Sequence, residues 1–215
     1  MIIKSSKTGG SMSLSDAPKI TFDGKWLKWH LEFYDGVAYW EAWFLSSGTL
    51  TVVGSYKVDL WGIGGGASTS WGSGGGVVMG CKGGSAARTQ GETITGNIAV
   101  TIGAGAKNSN INAGGDTKFG TVFTCAGGAK GSGNDSSTGD PNRYRFMDPD
   151  KIGEKGADVS TSDSNGTYKA AGGWLPIVEG IGTADRTAVA GQGFGAGGGY
   201  FGYAKSGALV MRILA

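Results

Sequence analysis

The chain has 215 residues, 44 of them glycine and 4 proline, and its 19 basic and 17 acidic side chains leave a net charge of +2. That glycine content, against ~7% in ordinary proteins, comes without a sustained G-X-Y period, which excludes collagen; the charges are scattered, which excludes the basic stripe of a nucleic-acid binder. Apolar residues still make up 39%, with 7 Trp, 7 Tyr and 8 Phe, so the chain is not a purely disordered glycine-rich segment.

Residues 1–18 read as an N-terminal arm. They contain no apolar run long enough for a signal peptide, so the expectation is synthesis in a cytoplasm. The most apolar run, VAYWEAWFL, is short and carries Glu41, which argues against membrane insertion.

Residues 19–60 read as a β-meander. Ile20 and Phe22 alternate before Asp23-Gly24, and Trp29, Leu31 and Phe33 alternate before Asp35-Gly36. Val37 to Leu45 then leads to Ser47-Gly48, followed by Thr49 to Val53 and Tyr56 to Trp61. Asp-Gly between alternating runs is a hairpin signal, and turns every ~8–12 residues suit a sandwich or barrel. The only histidine, His30, falls on the face opposite the apolar residues. It is expected to be solvated or hydrogen-bonded, and no nucleophile–histidine arrangement suggests itself.

Residues 61–215 read as a glycine-rich β domain with a polar insertion at 129–171. Its opening, Val58 to Ala67, runs a strand into G-x-G-x-x-A, a dinucleotide-binding pattern. That chemistry needs a helix at the glycines, and Thr69 to Gly76 is too glycine-rich to form one. No cofactor is expected. Short strands are predicted at Val77–Met79, Ile98–Ile102, Lys118–Cys125 and Ala208–Leu214. Between them lie glycine runs, among them Gly64, Gly65 and Gly66, and Gly195, Gly197, Gly198 and Gly199. In Gly191 to Gly197 glycine recurs at every second position, which in an extended chain leaves one face bare. A bare face lets another backbone approach closely, so these seven glycines are structural candidates; mobile loops are the alternative. The fold class is all-β: an antiparallel meander or sandwich with extended glycine-rich strands and long polar loops.

Cys81 and Cys125 allow one disulfide or two packed thiols. A zinc site is excluded with one histidine in the chain. No P-loop occurs. Asp148 to Gly153 begins like a calcium loop but fails at Ile152 and at Val159. A looser carboxylate cluster adding Asp158 and Asp163 is the alternative to a solvated acidic loop. No metal site and no catalytic pair is assigned. Trp71, Tyr144, Tyr168, Trp174, Tyr200 and Tyr203 sit in or beside glycine-rich or polar stretches. Such side chains offer a flat apolar face with a polar edge, making them candidate ligand-binding residues, with sugar rings one partner that uses such faces; filling gaps beside glycine is the alternative.

In order, SSGTLTV, YKVDLWGIGGGAS, ITGNIAVTIGAG, AGGDTKFGTVFTCAGGAKG, GAGGGYFG and SGALVMRI resemble the glycine-rich domain of phage and prophage tail fibres and tail-tip adhesins, over about residues 46–215. The resemblance implies a non-enzymatic virion component that is often a homotrimer. It would contact other tail proteins and bind a bacterial surface glycan through loops at 67–76, 129–171 and 174–190. A purely structural virion protein and a glycan depolymerase are the alternatives. No single binding residue transfers from the family.

Overall fold

The computed structural model describes residues 17–31, 37–67, 83–106, 113–129, 194–195 and 204–215, together with the backbone of 32–34 and of the strands at 2–4, 11–13, 77–81, 153–155, 159–163, 166–170 and 174–176. Every regular element among these residues is a strand, so the chain is all-β. In chain order they are β1 (Ile2–Lys4), β2 (Ser11–Ser13), β3 (Ile20–Phe22), β4 (Trp26–Tyr34), β5 (Val37–Phe44), β6 (Gly48–Ile63), β7 (Val77–Cys81), β8 (Ala86–Thr101), β9 (Thr117–Phe119) and β10 (Phe123–Cys125). There follow β11 (Gly153–Lys155), β12 (Val159–Asp163), β13 (Gly166–Ala170), β14 (Trp174–Pro176) and β15 (Ala208–Leu214).

The main sheet runs β10-β9-β8-β6-β15-β5-β4, with β3 also on β6, and its pairings are antiparallel. This departs from the expected meander. Only β4 and β5 form the hairpin that Asp35-Gly36 signals. The C-terminal strand β15 lies between β5 and β6, and β3 pairs with β6 rather than β4. At the Asp23-Gly24 corner the backbone holds to β6 instead: the Asp23 N–H donates to the Thr49 carbonyl at 3.3 Å and its carboxylate accepts the Thr49 N–H at 2.6 Å. Two strand predictions also change. The strand expected at 98–102 is the end of the 16-residue β8, and the one expected at 118–125 is the β9–β10 pair.

The burial patterns follow from these positions. At the start of β6, Leu50 and Val52 are buried while Thr49, Thr51 and Val53 are exposed, the alternation of a strand with one covered face. Strand β15 is buried from Ala208 to Ile213, as a strand covered on both faces must be.

The long β6–β8 ribbon bends. Its register shifts between Val52 and Ser55 and again between Val58 and Leu60. Gly54, Gly96 and Gly91 hold φ of 96°, 66° and 72° beside these shifts, a region that side chains strain to adopt. The bend brings the C-terminal end of β8 to the C-terminal end of β6. The buried Thr117 hydroxyl donates to the Ile63 carbonyl at 2.8 Å and accepts from the Gly103 N–H at 3.0 Å.

The principal core fills the space inside this bend. It joins Ile20, Phe22, Leu50, Val100, Phe119 and Phe123 to Trp40, Phe44, Leu60, Leu209 and Met211. Phe22 meets Phe44 edge-on, with ring centroids 5.0 Å apart. A second cluster, Trp43, Trp61, Ile63, Ala208 and Val210, lies on the other face of β5, β6 and β15.

Candidate functional site

Six short segments continue the main-sheet strands beyond one end of the sheet: 64–67 after β6, 83–85 before β8, 102–106 after β8, 113–116 before β9, 126–129 after β10 and 204–207 before β15. The segment 64–67 is the axis. Gly64 donates its N–H to Ser85, Gly65 to Gly115 and Gly66 to Lys205, while the Gly65 carbonyl accepts from Gly128 and the Gly66 carbonyl from Ala106. Its polar groups therefore reach all five other segments.

The outer segments also bond to one another. Ser85 donates to Ala126, Gly114 to Gly128, Gly115 to Ala104, Gly207 to Gly103 and Ala204 to Ala106. A gap between 83–85 and 204–207 is filled by Gly195, which accepts from Gly84 and donates to Ser206. The result is a closed ring of six around a central chain.

This differs from the expected alternation in a specific way. Three successive N–H groups of the axis point to three different neighbours, whereas a β-strand addresses two. Threefold rotation is the property of a polyproline-II-type chain, which has three residues per turn and no internal hydrogen bonds. With backbone on every side there is no room for side chains. A Cβ on Gly65 would overlap the Ala104 carbonyl, one on Gly64 the Ala126 carbonyl, and one on Gly84 the Gly64 carbonyl. Gly195 is barred twice, with φ of +69° and the Gly64 oxygen 2.5 Å from its added Cβ. Of the structural glycines read from sequence, Gly64, Gly65, Gly66 and Gly195 are thus bundle positions; Gly197, Gly198 and Gly199 lie outside the described residues.

The stretches 68–82, 107–112, 130–193 and 196–203 connect the bundle residues in sequence. Two of these stretches are joined. Strand β7 pairs in parallel with β13, which pairs antiparallel with β12, and β11 pairs with β14. The 129–171 stretch, expected as loops, therefore carries strands. Val159 to Asp163 and Gly166 to Ala170 hold β-branched and aromatic residues at strand spacing, and their polarity hid the pattern.

Of the candidate binding residues, Tyr168 falls in β13 opposite Thr161 and Met79, and Trp174 falls in β14 opposite Lys155. Trp71, Tyr144, Tyr200 and Tyr203 lie outside the described residues, as do Asp148, Asp150 and Asp158 of the acidic stretch.

A row of polar and charged side chains, buried at its centre, has no counterpart in the sequence reading. The pairing sets His30, Glu41, Arg212 and Asp59 side by side across β4, β5, β15 and β6. Glu41 is 0% exposed and Arg212 3%. Glu41 accepts from Arg212 Nε and from Trp43 Nε1, each at 2.6 Å, and His30 Nε2 stands 3.6 Å away. The Arg212 guanidinium lies over the Trp61 ring at 4.7 Å. Burial pushes the Glu41 carboxyl up, but hydrogen bonds from His30, Arg212 and Trp43 and the Arg212 charge outweigh it and hold the group below the ordinary carboxylate range. The signal was a lone arginine in ALVMRIL and a lone glutamate in VAYWEAWFL.

Cys125 is a buried free thiol, so it is not bridged to Cys81. Burial pushes its pKa up to about 12, far from a reactive thiolate. Among the described residues, no group of three or more His, Cys, Asp and Glu could hold a metal ion, and no helix is long and apolar enough to cross a membrane.

No protein-family model matches the chain, and no curated protein matches it.

Proposed function

We propose that the chain is a non-enzymatic phage tail protein, at a fibre or tail tip, that recognises a bacterial surface glycan. The observation that carries this reading is a glycine bundle with no room for variation inside it, whose segments anchor both ends of the connecting stretches 68–82, 107–112, 130–193 and 196–203. A rigid base presenting several connections is a design for recognition, since binding residues sit disproportionately on loops held by a rigid scaffold. The resemblance of the glycine runs to tail-tip adhesins points the same way. Candidate contacts are Trp71, Tyr144, Tyr168, Trp174, Tyr200 and Tyr203.

Assembly into a virion, with other tail proteins as partners and a homotrimer as the form, belongs to the same proposal. The bundle completes its ring within one chain, so trimer contacts would use other surfaces. Val37 and Leu214, which are 41% and 66% exposed, stand at the ends of β5 and β15 remote from the bundle and suit attachment there. That apolar end is also what favours the second reading, a purely structural virion protein.

The test is binding of purified, labelled protein to a broad panel of bacteria, with isolated surface polysaccharide as competitor. Saturable binding abolished by polysaccharide supports the adhesin. Folded protein that binds no strain favours the structural reading, and release of reducing ends would move the assignment to a depolymerase.

A further inference from the structure

Strand β4 ends the main sheet, with β5 its one strand partner among the described residues. Its ladder is interrupted. Leu27 stands opposite Trp43 and His30 opposite Glu41, so three steps along β4 match two along β5. The extra residue is a bulge, and a bulge forfeits ladder bonds. How firmly β4 is held therefore depends on what else ties it to β5.

His30 supplies such a tie. Its Nδ1 lies 3.2 Å from the Lys28 carbonyl oxygen, inside the bulge, and its Nε2 lies 3.6 Å from Glu41 Oε1, within ion-pair range. Both oxygens are acceptors. A neutral imidazole carries one N–H and turns a lone pair toward one of them, whereas the imidazolium donates from both nitrogens. Nε2 is closed off from water, so no solvent molecule relieves a lone pair set against the carboxylate. Against the burial that raises the Glu41 carboxyl, His30 is the strongest of the partners that keep it ionised, ahead of Arg212 and Trp43.

The charges of the row agree. Across the sheet His30, Glu41, Arg212 and Asp59 alternate in sign when His30 is protonated; without that proton one negative charge is uncompensated. Opposite charges on neighbouring strands stabilise a sheet. Two effects oppose protonation: the ring is only 25% exposed, and the Arg212 cation is near. That cation is already held by Glu41 Oε2 at 2.6 Å. The Glu41 carboxylate is the nearest charge to the ring and is poorly screened, so it outweighs both. Of the other titratable groups around the ring, Lys28 is exposed in the bulge and Tyr39 shares the Glu41 face of β5, under Arg212 at 5.9 Å. Glu32 takes the next position on that face of β4, opposite Tyr39.

We propose that His30 is a proton-operated catch: its imidazolium pins the bulged edge strand β4 to the buried Glu41, and loss of that proton as the medium turns alkaline frees β4 from β5. The strand carries Trp26, whose ring stacks on Phe44 with centroids 5.9 Å apart, and the half-buried Trp29 and Leu31. The catch thus controls whether one edge of the principal core stays covered. A histidine that gains a partner on folding holds its proton to higher pH. The stability it adds is whole below the ordinary midpoint of about 6.5 and is lost as pH rises through the folded midpoint.

His30 is the only histidine in the chain, so the imidazole ring-proton signals in nuclear magnetic resonance spectra of the full chain report it alone. Its midpoint is expected about one pH unit or more above 6.5. Amide exchange, corrected for its intrinsic pH dependence, should show protection of β4 falling about tenfold or more between about pH 6 and pH 9, the factor that one unit implies. Strand β15 should keep its protection, and in His30→Gln the protection of β4 should not change with pH. A midpoint at or below 6.5 overturns the catch. So does a fall in β4 protection that β15 shares equally, or one that persists in His30→Gln. The titration uses the unmodified protein, so it decides the matter even if His30→Gln does not fold.

Discussion

Replacing Gly65 by alanine tests whether the bundle is held by backbone contact. Its Cβ would fall on the Ala104 carbonyl, with the Gly103 oxygen 2.8 Å away. The segment cannot shift freely, because the Gly65 N–H bonds Gly115 at 2.9 Å and its carbonyl accepts from Gly128 at 2.8 Å. Nor can Ala104 retreat without loosening its bond from Gly115. Overpacking costs ~1–3 kcal/mol, and leaving one or two buried backbone groups unpaired adds ~1–3 kcal/mol. The sum, about 2–6 kcal/mol, should lower Tm by roughly 4–24 °C in a chain of this size. Gly54→Ala is the comparison. Its added Cβ meets nothing within 4 Å, so only the strain of φ +96° acts, at ~1–2 kcal/mol or roughly 2–8 °C. Thermal melts followed by near-ultraviolet circular dichroism read both. If Gly65→Ala loses no more than Gly54→Ala, the close-packed bundle is wrong.

Glu41→Gln should cost about 3–5 kcal/mol at neutral pH, because it leaves the Arg212 charge buried without its counter-charge, whereas the double change Glu41→Met with Arg212→Met should cost less than either single change, as urea titrations would show. Because the folded-state pKa of Glu41 is lowered, the stability it contributes is present above the ordinary carboxylate range and lost as pH falls through the folded value; Glu41→Gln should flatten this acid limb of a Tm-against-pH curve. In a Cys81→Ser background, Cys125 should resist alkylation at pH 8 in the native protein and react once unfolded, and rapid native labelling would contradict its burial. Ending the chain at Gly207 removes the strand between β5 and β6 and should abolish cooperative unfolding in calorimetry; a sharp transition in the truncated protein would mean that the sheet closes without it.

Much of the all-β character was legible in alternation and turn chemistry: Ile20 with Phe22, Leu50 with Val52, and the Asp35-Gly36 hairpin all stand where the pattern puts them. Strand order was not legible, because local periodicity carries no information about a partner that arrives at the end of the chain. One clue was present. ALVMRIL is apolar on both faces, as a central strand must be, and so could not have been an edge. The glycines announced close approach but not its symmetry, since a glycine is bare whether the chain turns by halves or by thirds. The Glu41–Arg212 pair was hidden because each residue reads alone as an interruption of an apolar run. Of the candidate site, the sequence displayed aromatic residues such as Tyr168 and Trp174, while the joining of β7 to β13 depends on a pairing between distant stretches that no local pattern encodes.

The ring has an entropic corollary. Residues 107–112 and 196–203 each begin and end on segments that touch, since 102–106 bonds 113–116 and Gly195 bonds Ser206. Closing a connection between fixed, adjacent points costs only ~0.6 kcal/mol more for each doubling of its length. The stability of the fold is therefore nearly indifferent to how many residues are spliced between those ends. Within a single scaffold, the chain can change the size of what it presents far more freely than it can change one glycine beneath it.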